Sequence, residues 1–281
     1  MTIESLLTVN NLRTVPSRII NILEDTSDSS LYRSALKVQM DLYLGEILRY
    51  LSSHQVWSLA NAVLDLGCGP GDLISRLSRH YPDKFYRGVD INDSFIKAAR
   101  KQTTKQSNCE FICADLYDFA IGRYDVVILR AVLQHLIDSD RFMKHLPRLL
   151  ENNSVVIFND TPNENFVNSS PAIPTFDKFY NQLEVSQREA GGNRDCLADL
   201  KGNLEGYNFA IVDFCDQAIP IKTDKNRLLM IQYLILGCSV AKQMFSIRVD
   251  LASLFDDLVK WYGSSNPYMQ IKTKWMMIRM L

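Results

Sequence analysis

The chain has 281 residues, of which 47% are hydrophobic and 22% charged, and its formal net charge at pH 7 is −1. This length allows one large domain or two small ones, and the composition is typical of a globular protein with a sizeable core. A net charge so close to zero provides no overall field toward nucleic acid or an anionic membrane, so we expect neither as a partner.

Before residue 60 the sequence indicates helices. The polar residues 25–30 offer helix caps, and from residue 31 to about 53 the apolar residues recur at helical spacing. A shorter apolar stretch, Ile19–Leu23, precedes them. We therefore expect residues 1–60 to form an N-terminal helical cap region.

From residue 63 onward, predicted strands and helices alternate. Runs of apolar and β-branched residues predict the strands, and cap residues followed by amphipathic spacing predict the helices. The strands are Val63–Leu66, Tyr86–Ile91, Glu110–Ala114, Tyr124–Leu129 and Ser154–Asn159, and the helices are Asp72–His80, Asp93–Lys105 (capped near Asp93 or Ser94) and Arg141–Leu150. This alternation predicts right-handed βαβ units and a parallel sheet.

After Asp160 the alternation stops. Residues 161–195 contain three prolines and a cluster of aromatic side chains, Phe166, Phe176, Phe179 and Tyr180. We interpret this stretch as an excursion over the carboxyl edge of the sheet, where open α/β sheets bind ligands. The remaining sequence predicts a helix at Cys196–Glu205, a strand at Tyr207–Phe214, helical structure at 225–262 and a last strand at Trp275–Met280.

The cysteines and the apolar segments bear on the compartment. The six cysteines include no CxxC pair and the four histidines are dispersed, so we expect reduced thiols and no metal site. The N-terminus lacks the basic-then-apolar pattern of a signal peptide. The longest apolar run, 228–241, is shorter than the ~20 residues of a membrane helix and is expected to be a core helix. We expect a cytoplasmic protein.

The stretch Val63–Asp72 reads V-L-D-L-G-C-G-P-G-D. It predicts a buried strand that runs into a tight glycine turn, because backbone turning sharply beside a ligand leaves no room for Cβ atoms. Asp65 on the strand and Asp72 at the helix start disfavour a pyrophosphate and favour a ligand with a positive charge and hydroxyl groups. The spacing GxGxG also differs from the GxGxxG of dinucleotide-binding proteins.

Further motifs follow the next strands: G-V-D-I ends the second, A-D-L follows the third, and Y-D-V-V-I-L-R-A-V-L-Q-H-L covers the fourth. Together with the glycine turn, they resemble the class I S-adenosylmethionine-dependent methyltransferases over about residues 60–160. The resemblance implies an α/β fold: a Rossmann-like, seven-stranded, mostly parallel sheet with helices on both faces and a helical lid with insertions. We divide the chain after residue 60 into three parts: the cofactor-binding core 61–160, the lid 161–206, and the completion of the sheet with a helical insertion 207–281. All of these parts are expected to form one catalytic domain.

The resemblance also implies S-adenosyl-L-methionine as the cofactor and assigns residues to its methionine end. Gly67 and Gly69, with Cys68 beside them, would let the backbone approach the methionine part. Asp65 would lie near the ammonium group or order a water that binds it. Arg130, which follows the fourth strand, would hold either the cofactor carboxylate or the substrate.

Four further residues are assigned to the nucleoside by the resemblance. Asp90 would accept hydrogen bonds from both ribose hydroxyls, and Ile91 would pack on the adenine face. Asp115 would accept a hydrogen bond from the adenine amino group, and Leu116 would cover the ring. Asp90 taken alone could instead be a helix cap.

Three polar residues are candidates for work on the methyl acceptor. His135, in the turn after the fourth strand, would act as a base near neutral pH or only shape the turn, and we favour the structural role. Asn159 and Asp160, at the end of the fifth strand, are expected to face the same crevice. Their N-D-T-P sequence lacks the second proline and the aromatic of the N/D-P-P-Y motif, which argues against adenine or glutamine methylation.

The expected function is methyl transfer to a small-molecule N or O nucleophile, for example in a biosynthetic pathway. A closing lid with Phe176, Phe179, Tyr180 and Tyr207 would enclose such an acceptor, although the same aromatic residues could be plain core. Two alternatives stay open: an RNA or protein methyltransferase, and a non-catalytic S-adenosylmethionine-binding partner subunit. The sequence also allows a homodimer.

Overall fold

The computed structural model describes residues 28–162, 166–245 and 247–281. The predicted apolar stretch Ile19–Leu23 lies outside these residues. In chain order the elements are α1 (Asp28–Ser52), α2 (Gln55–Leu59), β1 (Ala62–Leu66), α3 (Asp72–His80), β2 (Phe85–Asp90), α4 (Asp93–Gln102), β3 (Cys109–Cys113), β4 (Tyr124–Arg130), α5 (Ser139–His145), β5 (Leu150–Asp160), β6 (Val167–Ser170), α6 (Pro174–Glu189), α7 (Cys196–Asn203), β7 (Phe209–Pro220), α8 (Asp224–Phe245), α9 (Leu251–Tyr262) and β8 (Tyr268–Met280).

The chain divides into two compact units. Residues 44–166, 188–219 and 271–281 form one, which we call the sheet unit. The other, which we call the helical unit, comprises the described residues of 28–43, 167–187 and 220–270. The predicted cofactor-binding core therefore lies in the sheet unit, whereas much of the predicted lid and insertion lies in the helical unit.

Hydrogen bonding orders the strands of the sheet unit as β3-β2-β1-β4-β5-β8, with β7 paired to β8. The five strands from β3 to β5 are parallel, and β8 runs antiparallel to β5. The prediction of a mostly parallel α/β sheet is confirmed. The strand order reverses between β1 and β4, and in open α/β sheets ligands bind outside the carboxyl ends of the strands at such a point. We call this space the crevice.

Burial explains why the central strands form where they do. Val63, Leu64 and Leu66 of β1 are at most 1% exposed, and most of β4 and β5 is equally buried. A parallel strand covered on both faces needs such a continuous apolar run, and each fully buried Val or Leu contributes about 1.5–3 kcal/mol. Asp65 is the exception within this run, since its carboxyl group is buried among apolar neighbours.

Several predicted boundaries differ from the observed ones for local reasons. Helix α4 is capped by Asn92, whose side chain accepts the N–H groups of Ser94 and Phe95, and not by Asp93 or Ser94. The helix predicted at Arg141–Leu150 instead begins at Ser139 and ends at His145, and a 3₁₀ turn follows at 146–149. Pro147 lies in that turn, and its missing N–H cannot continue the α-helical ladder.

The stretch 161–195, which we interpreted as an excursion over the carboxyl edge of the sheet, contains β6 and the 16-residue helix α6. Phe176, Phe179 and Tyr180 on α6 are at most 8% exposed, and the Phe176 ring lies 6.0 Å and 5.6 Å from the other two. Tyr207 is half-buried, and its hydroxyl donates to Asp140 at 3.1 Å. The structure thus favours the core alternative for the three α6 aromatics.

Helix α8 covers the longest apolar run of the sequence. Within the described part of the chain it is the one helix long and apolar enough, by length and composition, to cross a membrane. Eight of its side chains are buried in the protein, as in a core helix.

Candidate functional site

The backbone after β1 turns at three glycines with left-handed conformations. Gly67, Gly69 and Gly71 have φ values of 72°, 54° and 81°, which side-chain-bearing residues rarely adopt. A Cβ atom on Gly67 would overlap a methyl group of Val132, and one on Gly71 would lie 2.7 Å from the Cβ of Ala99. The backbone angles favour glycine at all three positions, and the lack of space requires it at Gly67 and Gly71.

The Asp90 carboxylate holds this turn against the end of β2. Its Oδ2 accepts the N–H of Gly69 at 2.8 Å, and its Oδ1 accepts the N–H of Asn92 at 2.8 Å. Since Asn92 caps α4, Asp90 is not the helix cap. The two N–H donors fix the plane of the carboxylate, and each oxygen keeps a second lone pair for hydroxyl groups of a ligand.

The Cys68 side chain packs into the protein beneath the glycine turn. It is 7% exposed, and a Cβ atom on Gly88 would lie only 2.8 Å from its Sγ. Burial, reinforced by the charges of Asp65 and Asp90, raises the pKa of the Cys68 thiol. Cys68 is thus a neutral packing residue beneath the turn.

The ends of β2 and β3 leave the sheet side by side, because the N–H of Ala114 donates to the Asp90 carbonyl at 3.1 Å. Ile91 is 70% exposed and presents apolar surface directly after Asp90. Asp115 is half-buried, and its Oδ1 accepts the backbone N–H two residues later at 2.9 Å, which shapes the turn. Leu116 packs partly against the core of the sheet unit.

Two buried carboxyl groups lie near Arg130. Asp65 on β1 and Asp160 on β5 are each 3% exposed. Burial raises the pKa of Asp65 to about 7, against the opposing charge of Arg130 and with a contribution from Asp90. Burial raises the pKa of Asp160 to about 8, although Arg130 and Arg194 both oppose the shift. Both groups therefore change charge near neutral pH.

Asp160 and Asn159 turn out to point in different directions, as successive strand residues do. The Asn159 amide donates to Thr273 Oγ1 at 2.5 Å and to the Lys274 carbonyl at 3.2 Å, both on β8. The expectation that Asn159 faces the crevice is therefore wrong. Asp160 Oδ2 accepts from the Cys196 thiol at 3.9 Å, and its buried Oδ1 has no hydrogen-bond partner among the described residues.

The backbone just after β4 carries a feature that the sequence did not signal. Ala131 has φ of 54°, a left-handed conformation that costs a non-glycine residue about 1–2 kcal/mol. Its N–H donates to the Asn159 carbonyl at 2.8 Å, which holds the strained angle in place. This kink lies between Arg130 and Val132, and thus sets the direction of both side chains at the crevice.

His135 lies at the mouth of the crevice, in the 3₁₀ turn 133–135. Its backbone N–H donates to the Val132 carbonyl at 2.9 Å, and the Gln134 carbonyl accepts the N–H of Asn193 at 2.8 Å. The His135 side chain reaches solvent, but the surrounding protein removes part of its hydration and so lowers its pKa. The charge of Arg194 lowers the pKa of His135 as well. The imidazole is therefore mostly neutral at pH 7 and able to accept a proton.

The chain is similar in sequence to known methyltransferases. Residues 59–214 match a family model described as a methyltransferase domain. The chain is 27% identical over 159 residues to a malonyl-[acyl-carrier protein] O-methyltransferase of Acetivibrio thermocellus, covering 53% of this chain and 55% of that protein. It is 30% identical over 122 residues to a ubiquinone biosynthesis O-methyltransferase of Coxiella burnetii, covering 42% of this chain and 50% of that protein. The chain thus spans about half the length of these curated relatives.

Among solved structures, a Galdieria sulphuraria protein assigned as a sarcosine dimethylglycine methyltransferase superposes with a TM-score of 0.51 at 12% identity. The match covers 86% of this chain and 85% of that chain. At this identity the match shows a shared fold.

Proposed function

Because the chain belongs to the class I S-adenosylmethionine-dependent methyltransferases, we propose that it transfers a methyl group from S-adenosylmethionine to an oxygen or nitrogen nucleophile of a small molecule. The observation that carries the proposal is the Asp90 carboxylate, held by two backbone N–H groups beside the glycine turn. Oxygen is the first nucleophile to test, since the two curated relatives described above are O-methyltransferases by name.

The nucleoside end of the cofactor fits the residues at the ends of β2 and β3. The Asp90 carboxylate is already oriented, and its remaining lone pairs match two adjacent ribose hydroxyls. The exposed Ile91 side chain supplies an apolar surface for the adenine ring. Asp115 would accept from the adenine amino group, and Leu116 would cover the other side of the ring.

The methionine end fits the turn and the charged groups behind it. The absence of a Cβ atom at Gly69 leaves the backbone open to close approach by a ligand, and at Gly67 it makes room for Val132 beside the same turn. Asp65 and Arg130 carry opposite charges, which match the ammonium and carboxylate groups of an amino acid. Pairing with an ammonium group would favour the charged form of Asp65 over the neutral one.

When bound, S-adenosylmethionine supplies a sulfonium-bound methyl group that a nucleophile can displace in line. The chain contributes positioning and exclusion of water, which are the main sources of rate enhancement in such a displacement. His135 at the crevice mouth is the candidate to receive the proton of a hydroxyl or amine acceptor. An amine that sheds its proton to solvent would need no such base.

The proposed function predicts two measurements on the purified chain. We expect S-adenosylmethionine to bind with 1:1 stoichiometry in titration calorimetry, because the Asp90 site is formed before the ligand arrives. We expect a labelled methyl group to appear on at least one member of a panel of small carboxylic acids, phenols and amines. NAD⁺ is the matched control ligand, because it carries the same adenosine ribose. We expect it to bind at least tenfold more weakly, since Asp65 and Asp72 disfavour its pyrophosphate at the turn. No heat with S-adenosylmethionine would contradict the proposal.

His135→Ala tests the base role. We expect a loss of turnover below tenfold and unchanged cofactor affinity, because the substitution keeps the His135 backbone N–H that donates to the Val132 carbonyl and holds the turn. Removing a true general base typically costs 10²–10⁴-fold. A loss of that size, together with disappearance of the rate increase with pH near the histidine pKa, would instead assign the base role to His135.

A further inference from the structure

The helical unit contains an open groove of its own, with a volume of about 820 Å³. All of its lining residues belong to the helical unit, on α6, at the end of α8, on the segment between α8 and α9, and at the start of α9. Its base is apolar: Phe179, Ile247 and Val249 are 4%, 5% and 9% exposed. Grooves of this volume with an apolar base are typical of small-ligand sites.

Three cationic side chains, Lys178, Lys242 and Arg248, line the groove and are exposed. Within the residues that the structure describes, none of the three forms an ion pair. They come from different elements, α6, α8 and the segment between α8 and α9, yet they converge on one apolar surface. The charges are therefore not the solvated face of a single helix.

The nearby carboxylates are engaged by the fold itself. Asp250 caps α9: its Oδ1 accepts the N–H groups of Ala252 and Ser253 at 3.0 and 3.3 Å, and its Oδ2 accepts the Ser253 hydroxyl at 2.8 Å. Lys242 is also near enough to stabilise the Asp250 charge. Asp257 Oδ2 accepts both the N–H and the hydroxyl of Thr175. With one carboxylate against three cations in the lining, the groove keeps a net positive charge.

We propose that this groove binds an aliphatic chain with an anionic head group, an acyl carboxylate. The exposed Pro174 and the aliphatic parts of the cationic side chains would cover the hydrocarbon above this apolar base. Lys178, Lys242 and Arg248 would pair with the carboxylate. A nucleic acid fits less well, because the lining aromatic Phe179 is buried and offers no stacking surface. The proposal does not depend on methyl transfer.

Calorimetric titration of the full chain with decanoate tests the site. We expect saturable 1:1 binding and at least a tenfold loss of affinity in the double variant Lys242→Gln/Arg248→Gln. Lys260→Gln is the matched control, because Lys260 is exposed in the last turn of α9 as Lys242 is in the last turn of α8. Its affinity should stay within twofold of wild type. Decanol, which has the same chain without the charge, should bind at least tenfold more weakly than decanoate.

Decanol binding as tightly as decanoate, or undiminished decanoate binding by the double variant, would overturn the proposal. Thermal unfolding checks that the variants are folded, and Lys178→Gln on α6 provides a second variant with the same expected direction. S-adenosylmethionine affinity is measured on the same proteins. Failure of cofactor binding alone would contradict the proposed function, whereas failure of decanoate binding alone would contradict the groove.

Discussion

Asp90→Ala is expected to weaken S-adenosylmethionine binding at least 100-fold. The substitution removes the acceptors proposed for both ribose hydroxyls and leaves the N–H groups of Gly69 and Asn92 without their partner. A hydrogen bond to a charged group contributes about 1.5–3 kcal/mol, so the loss of two exceeds the roughly 2.7 kcal/mol that corresponds to 100-fold. Titration calorimetry at constant salt and pH gives the affinities directly.

Asp93→Ala is the matched control for this variant. Asp93 lies three residues later in the first turn of α4 and forms an exposed ion pair with Lys97 at 2.6 Å. Such a pair is worth little, so the affinity for the cofactor should change less than twofold. Undiminished binding by a folded Asp90→Ala protein would place the nucleoside elsewhere and would sink the cofactor assignment.

Asp160→Asn is expected to flatten the stability profile between about pH 4 and pH 8. Burial raises the pKa of Asp160 to about 8 in the folded chain, so the folded state holds a proton that the unfolded chain releases near pH 4. Its contribution to stability is thus complete below about pH 4 and is lost as the pH rises through about 8. The amide cannot ionise. Between pH 5 and pH 9 we therefore expect the free energy of unfolding of the variant to fall by about 2–4 kcal/mol less than that of wild type.

Chemical unfolding at pH 5, 7 and 9 measures this difference. Asp256→Asn, at an exposed aspartate of α9, is the control and should keep the wild-type profile. Parallel profiles for wild type and Asp160→Asn would mean that Arg130 and Arg194 keep the carboxylate charged throughout. Cofactor affinity measured on the same variant reports whether Asp160 also acts on the site through Arg130.

The central part of the sheet unit could be predicted from the sequence because its signals are local. Apolar runs of strand length and the glycine spacing place β1 and α3 within one residue of their observed bounds. Asp90 and Asp115 could be predicted to lie at one edge of the sheet because the carboxyl ends of parallel strands meet there, whatever the details of packing. The family resemblance rests on the same short motifs, and the family match confirms it.

Other features depend on residues that are distant in sequence. The face on which Asn159 lies is decided by its pairing with β8, more than 100 residues later. Arg194 acts on His135 and Asp160 only because the fold returns the chain to the crevice. The left-handed Ala131 is held by a carbonyl of a neighbouring strand, and alanine carries no turn signal of its own.

The sequence by itself determined the parallel strands β1 to β5, the glycine turn and the family, since each strand and each motif is encoded in a short run of consecutive residues. Only the tertiary structure decided which polar groups are buried, and burial is what raises the pKa values of Asp65 and Asp160. It also placed Lys178, Lys242 and Arg248, from three separate segments, around one apolar groove. Burial and convergence of this kind arise from packing, and no local pattern of residues encodes them.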